Sequence, residues 1–129
     1  MTTVQSASLV VRSMDEPDER REPPLARVDV CNIGDTTIAR AVAQPGWKWS
    51  ESVKPIAGTD SCEVAHTGYV ISGRLHIVMD DGNEADLKGG DAFTCAPGHD
   101  AWVVGDEPVA FLEVAPVAAQ TYAAPRPPS

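Results

Sequence analysis

The chain contains no run approaching the about 18 consecutive apolar residues of a membrane span. Its N-terminus lacks the basic start and apolar core of a secretory signal. A cytoplasmic protein with no membrane partner is therefore expected. Basic residues are scarce: 10 Lys and Arg stand against 19 Asp and Glu, for a formal net charge of −9. Nucleic acid and anionic lipid both need a basic patch, so no nucleic-acid partner is expected. Cysteine is limited to Cys31, Cys62 and Cys95, an odd number with no CxxC pair. That usage argues against a disulfide framework or a zinc ribbon and suits free thiols in a reducing compartment. There is no GxSxG elbow, no phosphate-cradling glycine loop and no dinucleotide fingerprint. No segment sustains a 3.6-residue apolar period, so little helix is expected, and no internal repeat is visible.

The chain does have frequent turn residues and short β-prone runs. At 129 residues it is long enough for one domain with a real core and no disulfide staples. Ile38 to Ala43 stops at Pro45-Gly46, Tyr69 to Ile71 at Ser72-Gly73, and Leu75 to Met79 at Asp80-Asp81-Gly82-Asn83. Further runs at Ala85–Leu87, Ala92–Thr94, Trp102–Val104 and Val109–Val114 are each bounded by Gly, Pro, Asn or Asp. Such spacing predicts an all-β sandwich or barrel. Residues 25–115 form the expected barrel domain. Residues 1–24 carry the polar, proline-containing stretch Asp15 to Pro24, which predicts a flexible N-terminal arm after a short apolar patch at Leu9-Val10-Val11. Residues 116–129 are rich in Ala and Pro and read as an extended tail.

The segments Tyr69-Val70-Ile71-Ser72-Gly73-Arg74-Leu75, Asp81-Gly82, Gly89-Gly90-Asp91 and Ala96-Pro97-Gly98-His99 together resemble a cupin domain over Val42 to Val114. The resemblance implies a double-stranded β-helix, or jelly-roll barrel, with a pocket inside and a homodimeric assembly. The family's first motif runs G-(x)5-H-x-H-(x)3,4-E-(x)6-G. Anchored on Gly73, it places His66 at the glutamate and Asp60 and Cys62 at the two histidines, with Lys54 at the opening glycine. The second motif, G-(x)5-P-x-G-(x)2-H-(x)3-N, aligns on Gly90 and Gly98. Ala96 then stands at the proline, Ala101 at the histidine and Gly105 at the asparagine. The fourth ligand of the family is thus absent, but His99 lies two residues earlier with the same parity.

Each first-motif replacement is itself a ligand type: carboxylate, thiolate and imidazole. On regular strands positions 60, 62 and 66 would share a face. Cys62, His66 and His99 are therefore the expected metal ligands, with Asp60 or water completing the set. Three protein ligands with an open position suit Zn²⁺, with iron, nickel and manganese as alternatives. The competing reading makes Cys62 a small core residue and His66 a hydrogen-bonded pocket histidine. Asp60 and Glu113 are the candidate proton carriers. Glu113 qualifies if its face of the last strand, shared with Val109 and Phe111, points inward; outward, it is simply solvated. Trp47 and Trp49 alternate across Lys48 and either wall the pocket or pack as core or interface aromatics. Ser50 to Gly58 reads as a loop and His76 as a surface or interface histidine. The functional expectation is a metalloprotein that holds or acts on a small carbonyl or carboxylate compound. The alternatives are a metal-free ligand-binding or sensor module, or a subunit-pairing role for the N-terminal arm. Fold analogy does not choose among isomerase, lyase, hydrolase and dioxygenase.

Overall fold

The computed structural model describes residues 4–5 and 8–115. In chain order the strands are β1 (Val4–Gln5), β2 (Val10–Val11), β3 (Glu19–Arg21), β4 (Ala26–Ile33) and β5 (Thr36–Ala43). Two helical turns follow, α1 (Trp49–Ser52) and α2 (Lys54–Ala57). The remaining strands are β6 (His66–Ser72), β7 (Arg74–Met79), β8 (Glu84–Lys88), β9 (Ala92–Cys95), β10 (His99–Val103) and β11 (Val109–Ala115). One sheet has the order β3-β4-β5-β11-β6-β9, a second β10-β7-β8, and β1 pairs only with β2. All pairings are antiparallel. The fold is the expected all-β jelly roll, with helix among the described residues confined to the two short turns.

The two larger sheets enclose the core. Strict alternation along β5 buries Ala39, Ala41 and Ala43, and along β10 it buries His99, Ala101 and Val103. Val28, Val30, Val70, Val109 and Phe111 from the large sheet meet Leu75, Ile77 and Leu87 from the small one. Each such side chain, fully buried, contributes roughly 1.5–3 kcal/mol. Gly73 makes the β6–β7 turn at φ +82, and a Cβ there would collide with the carbonyl oxygen of Pro108. The motif glycine is thus demanded by both turn conformation and close backbone approach.

The N-terminal expectation needs correction. Residues 12–21 are not a free arm but a strap held against β4, with β3 adding a strand at the sheet edge. β3 pairs with β4 in the register Glu19↔Val30 to Arg21↔Val28. Arg12 donates to both oxygens of Asp18, whose carboxylate also accepts from the Asn32 amide, and the Cys31 thiol donates to the Ser13 carbonyl. Consequently Val28, Asp29, Val30 and Cys31 are buried in succession, on both faces of β4. That explains why β4 shows no half-buried alternation and was not among the expected strands. The patch at Val10-Val11 pairs with β1 rather than with the barrel. The expected tail, residues 116–129, lies outside the described residues.

Asp29 is the ionic centre of this strap. It is only 1% exposed and accepts from Arg20 at 2.7 Å and Arg40 at 3.3 Å, with Arg27 at 3.6 Å. Burial alone would raise its carboxyl, but the hydrogen bonds from Arg20 and Arg40 and the charge of Arg27 hold it below the usual range. The resulting stability is present above the unfolded carboxyl's pKa of about 3.9 and is lost as acid carries the pH down through the lowered folded value. Asp29→Ala should cost about 2–3 kcal/mol by urea unfolding at neutral pH. The loss is less than for a fully buried pair because Arg20 and Arg27 remain 41% and 47% exposed.

Candidate metal centre

Three elements bring the ligand-type side chains together. His66 opens β6 and His99 opens β10. Cys62 follows α2 and is fastened to β10 by an isolated bridge, in which the Cys62 amide donates to the His99 carbonyl at 2.8 Å and the Gly98 amide to the Cys62 carbonyl at 2.7 Å. One ligand atom from each of Cys62, His66 and His99 lies within 4.8 Å of the others, and all three residues are buried. Cys62 Sγ is 3.5 Å from His66 Nε2. The imidazole rings are 5.0 Å apart, edge to face at 67°.

Both rings are oriented by a partner on their other nitrogen. His66 Nδ1 lies 2.8 Å from Glu113 Oε2, and His99 Nδ1 lies 2.9 Å from the Ala96 carbonyl oxygen. A carbonyl can only accept, so His99 Nδ1 carries the proton, and the Glu113 carboxylate assigns the same tautomer to His66. Both Nε2 atoms are then the nitrogens that could bind an ion. A ring nitrogen fixed by a carboxylate or backbone carbonyl is the arrangement typical of metal-ligating histidine. Among the described residues this thiol and two imidazoles therefore form a possible metal site.

Electrostatics reinforce the grouping. Burial pushes the Cys62 thiol up, but hydrogen bonds and positive charge from His66 and His99 outweigh it and bring it down to about 7. Burial opposes the charged form of both imidazoles, yet the thiol raises each of them, assisted by Glu113 at His66 and by Cys95 at His99.

The other expected site residues fare unevenly. Asp60 is not in the site: its side chain is fully exposed, 3.8 Å from Lys54 Nζ. Positions 60, 62 and 66 share no continuous strand, since Cys62 makes only an isolated bridge and residues 63–65 are irregular, while Ser50–Gly58 forms α1 and α2 rather than the expected loop. Gly58, left-handed at φ 75, then turns the chain into an irregular stretch before β6. Glu113 does point inward with Val109 and Phe111, and it is buried. Trp47 and Trp49 are both core residues and both line the cavity beside the histidines, which measures about 30 Å³. Ala101, at the place of the family's absent histidine, lines it too. His76 is held by Asp86 at 2.6 Å and stacks on Trp102, outside this cavity.

One residue was missed. Cys95 pairs across strands with His66, lines the cavity, and places Sγ 3.9 Å from His99 Nε2. The β6–β9 register is what brings it there, and no spacing motif carries that register.

No family model matches the chain, and no curated protein matches it. Solved structures do. A cupin-like protein from Thermotoga maritima superposes with a TM-score of 0.51 at 17% identity, covering 78% of this chain and 72% of that one. The chain has the cupin fold. The Fe(II) form of HppE superposes on this chain with a TM-score of 0.60 at 8% identity, over 88% of this chain and 63% of that one. AerE from Microcystis aeruginosa does so with a TM-score of 0.53 at 20% identity, over 72% of this chain. The chain spans 44% of the length of AerE. No helix among its described residues is long and apolar enough to cross a membrane.

Proposed function

We propose that this cupin barrel is a divalent-metal-binding domain in which Cys62, His66 and His99 hold the ion and a small molecule occupies the remaining position. The observation that carries this reading is the pair of imidazoles, each fixed through Nδ1 and each presenting Nε2 to the space beside the Cys62 thiol. One thiolate with two imidazoles fits Zn²⁺ best among the common ions, and the absence of a histidine at Ala101 supports an open coordination place. Bound zinc supplies Lewis acidity, polarising a carbonyl or an attached water.

The chain's own residues supply the rest. Glu113 orients His66 and keeps the proton on Nδ1, so it is a positioning residue rather than one that meets substrate directly. Trp47 and Trp49 line the cavity beside the two imidazoles. Asp60, fully exposed, has no part in proton transfer. A second copy of the chain is a proposed partner. The exposed apolar side chains of Tyr69, Ile71 and Val114 on β6 and β11 favour it.

After loading with zinc and removal of free metal, the purified protein should retain one zinc per chain by elemental analysis. Retention far below one per chain would sink the proposal and leave metal-free ligand binding as the better reading.

A further inference from the structure

Trp47 supplies an observation that the metal site does not absorb. It is 3% exposed, and its Nε1 is the only buried side-chain nitrogen or oxygen among the described residues without a hydrogen-bond partner. Trp47 lines the same cavity as His66, His99 and Glu113. An indole N–H is a donor only, so the group that satisfies it must bring an acceptor. The cavity volume, about 30 Å³, sets the scale of that group. One water-sized site needs about 10–15 Å³, which leaves room for an ion and one acceptor atom.

The charge balance decides which acceptor. A divalent cation carries two positive charges, and the Cys62 thiolate and Glu113 carboxylate carry two negative ones. A carboxylate ligand would leave a net negative charge in a buried site, which is costly, whereas a neutral acceptor leaves none. The neighbouring space points the same way. A wider chamber of about 340 Å³ shares Ile77, Phe93 and Cys95 with the inner cavity. It is lined by Met79 among other apolar side chains, and its charged groups are the carboxylates of Glu84 and Asp91, with no lysine or arginine.

We infer that the barrel selects neutral carbonyl compounds over carboxylates, with the Trp47 indole N–H donating to the carbonyl oxygen and the apolar body lying in the outer chamber. The inference rests on the metal reading proposed above. It narrows the ligand class from carbonyl or carboxylate to carbonyl.

Benzamide and benzoate, nearly identical in shape and different in charge, test it on cobalt-loaded protein. The thiolate-to-cobalt absorption reports whether metal is bound, and the ligand-field bands report ligand entry without any turnover. Benzamide should bind at least about tenfold more tightly than benzoate, and Trp47→Phe should weaken benzamide about fivefold, the effect of one lost hydrogen bond. In zinc-loaded wild-type protein the Trp47 indole proton resonance should shift on adding benzamide, a readout that needs no variant. Equal or tighter benzoate binding, no response to benzamide, or an unmoved indole resonance would each overturn the inference while leaving the metal site intact. Absence of the thiolate–cobalt band would overturn the metal reading itself.

Discussion

Zinc affinity is expected to fall by about 100- to 1000-fold in both Cys62→Ala and His66→Ala. Structural zinc sites bind with about 10–16 kcal/mol in apparent free energy, so one ligand of a small set is worth several kcal/mol, and each 1.4 kcal/mol is tenfold. Competition against a chromophoric chelator measures the loss. Removing a buried side chain also weakens the fold, so unfolding curves with and without zinc separate the two effects. Wild-type protein should gain about 4 kcal/mol when free zinc exceeds Kd by 1000-fold, and both variants should gain far less. Glu113→Gln should cost only about tenfold, because the amide oxygen can still accept from His66 Nδ1 at the position Glu113 occupies, 2.8 Å away. Asp60→Ala should change nothing, since that side chain is fully exposed and is not one of the grouped ligand-type residues. Unchanged zinc affinity in Cys62→Ala would remove the thiolate from the site.

How far these residues were legible in the sequence depended on backbone regularity. Gly73 could anchor the motif because its conformation and its contact with Pro108 leave no room for another residue. From that anchor Cys62 and His66 fall into place. His99 was reachable by parity because β10 is a regular strand alternating buried and half-buried residues. Parity likewise tied Glu113 to Val109 and Phe111, although not which way that face points. The same reasoning failed at Asp60 because residues 59–65 form no regular strand, Cys62 making only an isolated bridge there. Cys95 was invisible for a different reason: its closeness to the histidines comes from pairing opposite His66, a long-range register that spacing does not encode. The buried Asp29 and the strap over β4 were hidden by composition. A charged, proline-containing segment reads as flexible until its Arg20 meets the buried Asp29 carboxylate of β4.

Zinc uptake should also be steeply pH-dependent, in a direction that follows from the site's own charges. In the metal-free protein the Cys62 thiol is lowered to about 7 while His66 and His99 are raised above the ordinary imidazole range. Between these values the site holds one thiolate, two imidazolium rings and the Glu113 carboxylate, a formal sum of zero. Zinc replaces the two Nε2 protons with two positive charges, so the sum stays zero and two protons leave. Each displaced proton makes affinity rise tenfold per pH unit. Zinc affinity should therefore climb about 100-fold per unit above pH 7, and more steeply below it, where the thiol must also ionise. Proton release into a weakly buffered indicator at about pH 7.5 should approach two per zinc. Imidazoles at their unperturbed pKa of about 6.5 would already be mostly neutral at that pH and would release few. Release well below one proton per zinc would show that the thiol and Glu113 do not raise the two rings as their geometry implies.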